Sequence, residues 1–217
     1  RIRQAYIRER MKTPAGQREC EWKYKNEILF VPYHSDPVIV KSVETVRCRS
    51  NMVWNFKAAA SEKLKRQIFT VLEYILENYE ISRLREYKLT GLQLFYEFCI
   101  REQITDIQLL ELEQETAFQD YLKQKVEKEQ RRKRLKSIVE TARKVIFIET
   151  DETRWDATIW YLERFHLKMD RMNESNPVGS ISFMEIQHPN NRKIAQAYMK
   201  YELGITGQAI STITRRY

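Results

Sequence analysis

Glycine and proline are scarce in this chain, five of each among 217 residues. So few turn formers cannot serve the many connections of a β-sandwich or barrel, and their scarcity points to long helices. Cysteine is scarcer still: Cys20, Cys48 and Cys99 are odd in number and far apart. That argues against a disulfide framework and makes a reducing cytoplasm the expected compartment. Long apolar runs are missing; the longest resemble Val145–Ile148, far short of the roughly 20 residues that cross a bilayer. No secretory leader is evident either. Neither a membrane nor a small-molecule substrate is expected as a partner.

The constellations of catalysis are equally thin. His34, His166 and His188 stand alone, none at metal-ligand spacing from a cysteine. A zinc site from Cys20, His34 and Cys48 is a remote alternative. There is no glycine-rich phosphate loop and no GxSxG elbow. Glu111 and Glu115 lie at i, i+4 and read as a solvated helix face. In His188-Pro189-Asn190-Asn191-Arg192 the spacing is wrong for a His/Arg active site, and Pro189 interrupts it. No catalytic residue, metal or cofactor is expected within these residues.

What the chain does have is positive charge and a helical pattern. Lys and Arg number 38 against 30 Asp and Glu, a formal net charge of +8, which suits an anionic partner. Apolar residues at 42% and aromatics at 12% suffice for one large domain or two small ones. Residues 1–55 are irregular: Arg1–Met11 is basic and amphipathic, and Ile28–Val31 and Val38–Val40 read as short strands or extended arms. Pro32 and Pro37 bracket a turn.

From Asn55 the period becomes 3.6. Leu64, Ile68, Val71 and Ile75 predict one helix, and a second runs from about Ser82 to Arg101, with Gly91 as a soft spot inside it. Residues 110–148 predict two helices that are fused or separated by a kink. Trp155, Ile159, Leu162, Phe165 and Met169 are spaced as a further helix within 151–172. Residues 173–180 read as a linker, and 190–203 form a helix with Ile194, Tyr198 and Tyr201 as its apolar face. A last helix opens at Ser211. Most aromatics sit at helical spacing and are expected in the core rather than as base-stacking platforms.

Cations recur where helices begin. Lys63, Lys65 and Arg66 follow the cap Ser61, and Arg215 and Arg216 follow Ser211 and Thr212. A helix N-terminus already carries about half a positive charge, so cations there suit a phosphate facing the helix end. Arg131-Arg132-Lys133-Arg134 with Lys136 is the densest basic block, and Arg192 with Lys193 opens the 190–203 helix. Leaving aside Ser61 and Lys136, these thirteen positions are the candidate DNA contacts. Backbone contacts of this kind give affinity without base specificity.

The segments Lys65-Arg66-Gln67-Ile68-Phe69, Leu92-Gln93-Leu94-Phe95-Tyr96-Glu97-Phe98-Cys99, Ile104-Thr105-Asp106-Ile107 and Phe118-Gln119-Asp120-Tyr121-Leu122 follow one another as a recognisable layout. With Ile181–Ile186 and Asn191–Tyr217, including the Ser211-to-Thr214 helix start, residues 56–217 resemble the tyrosine recombinase, or phage-integrase, superfamily in its large transposase branch. The resemblance implies a mainly α fold: two SAM-like helical bundle modules behind a short irregular, β-containing N-terminal arm. It divides the chain into an arm (1–55), a first DNA-binding module (56–172), a linker (173–180) and the start of a truncated core-binding module (181–217). It implies double-stranded DNA as partner, self-association on that DNA, and an Arg…His-x-x-Arg…Tyr catalytic domain beyond residue 217. Tyr217 is not that nucleophile, because the required Arg and His-x-x-Arg do not precede it. The other readings are a helical protein–protein scaffold, an RNA-binding helical module and, last, an autonomous enzyme.

Overall fold

The computed structural model describes residues 24, 28–44, 50–80, 82–168, 171, 178–206 and 208–216, with backbone alone at 44, 50 and 214–216. Arg1–Met11, Cys20, Cys48, Met169, residues 173–177 of the expected linker and Tyr217 lie outside the described residues. The chain is mainly α, with a short β-containing region near its N-terminus. It divides into two compact units: Arg1–Thr105 with Phe118–Ala142, and Asp106–Ala117 with Arg143–Tyr217.

In the first unit β1 (Ile28–Phe30) pairs antiparallel with β2 (Val53–Asn55), Leu29 opposite Trp54. Between them lies α1 (Pro37–Glu44), where the sequence suggests extended chain. The reason is local. Asp36 Oδ1 accepts the Val38 amide at 2.8 Å, the Asp36 carbonyl accepts from Val40, and Pro37 sits at the first helical position. A buried helix turn and a buried strand share the same apolar run of Val38-Ile39-Val40, so the start signal decides between them.

Next come α2 (Glu62–Asn78) and α3 (Arg83–Arg101), as their periodicity predicts. Ser61 Oγ accepts from the Leu64 amide at 3.1 Å and Ser82 Oγ from the Arg85 amide at 3.4 Å, caps worth about 1 kcal/mol each. Leu64, Ile68, Val71, Leu72 and Ile75 are all buried. The expected helices over 110–148 are three: α4 (Leu112–Lys125), α5 (Glu129–Lys136) and α6 (Ile138–Glu149), so the division between units falls inside α4 and α6. Phe118 packs on Phe95 and Phe98 of α3, at 5.2 Å between ring centroids in each case. Gly91 is no soft spot. A β-carbon there would stand 2.9 Å from the Leu135 carbonyl oxygen and 3.2 Å from Ile138 Cβ, so the missing side chain lets α3 approach α5 and α6 closely.

The second unit has its own core of Phe147, Trp160, Phe183, Met199, Leu203, Ile210 and Ile213. Trp155 through Phe165 is not the expected helix. It is a turn, β3 (Ile159–Tyr161) and a 3₁₀ turn, with β3 antiparallel to β4 (Ser180–Ser182). Its hydrogen bonds go to distant chain. The Thr158 amide donates to the Gln108 carbonyl at 2.9 Å, Thr158 Oγ1 to the Leu110 carbonyl at 3.0 Å, and the Phe183 amide to the Thr158 carbonyl at 2.8 Å. The β3–β4 pairing also ties together segments on either side of the expected linker, so the division between units does not fall at 173–180.

Two helices close the chain, α7 (Pro189–Ile205) and α8 (Ile210–Arg216). On α7 the expected apolar face points outward: Ile194 is 69% exposed, Tyr201 54% and Ile205 71%, while Gln196, Met199, Glu202 and Leu203 are buried. Among the described residues no helix is long and apolar enough to cross a membrane.

Candidate nucleic-acid interface

At the start of α2 the anticipated phosphate seat is already filled from within. Glu62 places a carboxylate in the first turn, where the helix dipole favours it. Lys65 is only 4% exposed, and its Nζ lies 3.5 Å from Glu62 Oε1. Ser61 Oγ, besides capping Leu64, donates to the Thr105 carbonyl at 3.2 Å. Lys65 is therefore a packed residue and not a DNA contact. Lys63 and Arg66 are exposed, and Arg66 Nε donates to the Tyr24 hydroxyl.

The basic block is divided by its own helix. In α5 Leu135 is fully buried, and a 100° step per residue puts Arg131 and Arg134 on one flank, Arg132, Lys133 and Lys136 on the other. Arg132 is spent on structure: Nη1 donates to the Val126 carbonyl at 2.9 Å and to the Glu127 carbonyl, capping the chain that leaves α4. Lys133 pairs with Glu129 at 2.8 Å, and that lysine holds the Glu129 carboxyl below its ordinary value.

On the other flank the cations converge. Arg131 and Arg134 line a cleft of about 380 Å³ with Arg83 and Lys128, all four exposed, and among the described residues Glu86 is the one acid that lines it. The Arg134 guanidinium lies 5.2 Å above the Tyr87 ring, which fixes its direction. A second cleft adjoins it, sharing Lys128, Arg131 and Thr90 and adding Lys125. Arg83 and Lys128 are absent from the sequence-based set. Lys128 is the residue just before α5, three and six positions ahead of Arg131 and Arg134, a spacing that was legible. Arg83 joins only through the α3–α5 contact, which no local pattern announces.

In the second unit Arg192 is also structural. Its Nη2 reaches Glu111 Oε2 and the Ile186 carbonyl, both at 2.9 Å, and Nη1 reaches Glu111 Oε1. Glu115 pairs with Arg143 at 3.1 Å, and Arg143 Nη2 donates to the Leu110 carbonyl at 2.8 Å. Glu111 and Glu115 are thus ion-pair members and not a solvated face. Lys193 is exposed. Ser211 is not the cap of α8, which begins one residue earlier and whose first carbonyl, that of Ala209, accepts from the Thr212 and Ile213 amides. Ile210 and Ile213 set that register by filling the core; Ser211 is half-buried and Thr212 exposed. The side chains of Arg215 and Arg216 lie outside the described residues. His34 is committed as well, its Nδ1 accepting from the Asp36 amide at 2.9 Å and its Nε2 lying 3.1 Å from Glu73.

No family model, curated protein or solved structure matches this chain.

Proposed function

We propose that this chain grips double-stranded DNA by its phosphates, as part of a site-specific tyrosine recombinase or transposase that integrates DNA in the cytoplasm. The observation that carries this reading is the convergence of Arg83, Lys128, Arg131 and Arg134 on one cleft beside the Glu86 carboxylate. Four exposed cations, three on two packed helices and Lys128 at the cap of one of them, form a semi-rigid positive ridge, and such a ridge suits phosphates without reading bases. The layout of residues 56–217 supports the recombinase class. In that class strand cleavage belongs to a separate domain bearing Arg, His-x-x-Arg and Tyr, and copies self-associate on the recombination site. Lys63, Arg66 and Lys193, exposed at helix starts, are secondary contacts in this reading.

Replacing Arg131 and Arg134 by Glu tests it against a mixed-sequence 30-base-pair duplex. Affinity is expected to fall about tenfold per reversed charge, near 1.4 kcal/mol each, with the melting temperature unchanged. Unaltered affinity in a folded double variant contradicts the assignment. A helical scaffold is the second reading, favoured by the exposed stripe Ile194, Tyr198, Tyr201 and Ile205 at i, i+4, i+7, i+11 on α7.

A further inference from the structure

Arg85 is 4% exposed, and only one part of its guanidinium is used. Nη1 donates to Ser42 Oγ at 3.0 Å, while Nε and Nη2 are enclosed without a hydrogen-bond partner among the described residues. Those two nitrogens form the edge that binds a carboxylate through two parallel hydrogen bonds. Leaving such donors buried and unmet destabilises a fold. Burial also lowers the guanidinium pKa by desolvating the cation.

Arg85 lines a cleft of about 580 Å³ between α1 and α2. Val38, Ile39 and Leu76 give this cleft an apolar wall, with Val38 73% exposed, and the carboxylates of Glu77 and Glu80 stand at its rim. A bare phosphate or a nucleic acid meets repulsion from that rim. A molecule that joins a carboxylate to nearby cations and an apolar side chain meets complementary groups at all three places.

We propose that this cleft binds the C-terminal carboxylate of a basic peptide. The carboxylate takes the Nε/Nη2 edge of Arg85, the last side chain lies on Val38, Ile39 and Leu76, and preceding lysines or arginines face Glu77 and Glu80. Because that edge is enclosed, binding turns the guanidinium toward the cleft. The site is independent of the DNA reading.

The test is fluorescence anisotropy on the full chain with a fluorescein-labelled hexapeptide ending in Lys-Lys-Leu, as free acid and as C-terminal amide. The acid is expected to bind saturably and the amide at least tenfold more weakly. Arg85→Gln removes that discrimination, and the double variant Glu77→Gln, Glu80→Gln, altered only at exposed positions, weakens the acid several-fold. Equal binding of acid and amide, no saturable binding at millimolar protein, or discrimination that survives Arg85→Gln overturns the proposal. Free leucine competing as well as the peptide also overturns it, by assigning the cleft to an amino acid. No arm contains DNA, so failure here leaves the DNA reading standing.

Discussion

Lys88 shows how a cation can be structural in a chain rich in cations. Its ammonium, almost wholly buried, donates to Thr141 Oγ1 at 2.6 Å and to Ser137 Oγ at 3.1 Å. Both hydroxyls donate onward to backbone carbonyls, Ser137 to Arg134 and Thr141 to Ser137, so the chain of hydrogen bonds is complete. Burial nevertheless lowers the Lys88 pKa, opposed by the Glu140 carboxylate. The folded value lies below the unfolded one of about 10.4, so the folded state pays a penalty at neutral pH that fades as pH rises through that interval. Lys88→Met removes the charge and keeps the length. At pH 7 the variant is expected within about 1 kcal/mol of the parent, because lost hydrogen bonds and relieved desolvation oppose each other. Urea unfolding from pH 7 to 10 checks the sign. The parent gains stability relative to the variant as pH rises, and a flat or falling difference contradicts the account.

At the scale of elements, arginines do a task that glycines usually perform. Helices commonly end on a glycine that turns the chain and satisfies the last carbonyls. With only five glycines, this chain uses guanidinium donors. Arg132 serves the chain leaving α4, Arg164 the Ile148 carbonyl of α6, and Arg171 the Glu202 and Leu203 carbonyls of α7. Arg132→Ala is therefore expected to lower stability by about 1–2 kcal/mol while changing duplex affinity less than threefold. Arg131→Ala, one residue away, is expected to do the reverse. Paired melting curves and binding isotherms decide, and equal effects of both substitutions count against the division of α5 into two flanks.

The same scale shows what was legible. α2 and α3 could be read because Ser61 and Ser82 cap them and their apolar stripes face a core. Elements whose form depends on remote chain could not. Trp155 through Phe165 has helical spacing, yet Thr158 bonds to Gln108 and Leu110 and takes the segment into a strand pair. On α7 the apolar pattern is real, but a second stripe through Gln196, Met199 and Leu203 is the one buried; Gln196 is accommodated because its Nε2 donates to the Ala157 carbonyl at 3.0 Å. Of the candidate site, Arg131 and Arg134 were legible. Lys65, Arg132 and Arg192 were misread, because their partners are a first-turn acid, a helix end and a carboxylate 81 positions away.

Over the whole molecule, net charge overstates the surface available to a polyanion. Among the described residues Arg132, Arg164 and Arg171 serve backbone carbonyls and Arg143 and Arg192 pair with carboxylates; Cys99 is interior, its thiol pushed up by burial. Among the described residues, Arg83, Lys128, Arg131 and Arg134 gather as a ridge in the first unit. DNA binding in the proposed reading requires that ridge to meet phosphates, and counterion release measures this directly. For about four neutralised phosphates, log Kd against log salt has a slope of about 3.6, so affinity for a 30-base-pair duplex drops by about 150-fold between 50 and 200 mM. A slope near zero, or no binding at 50 mM salt, contradicts the account.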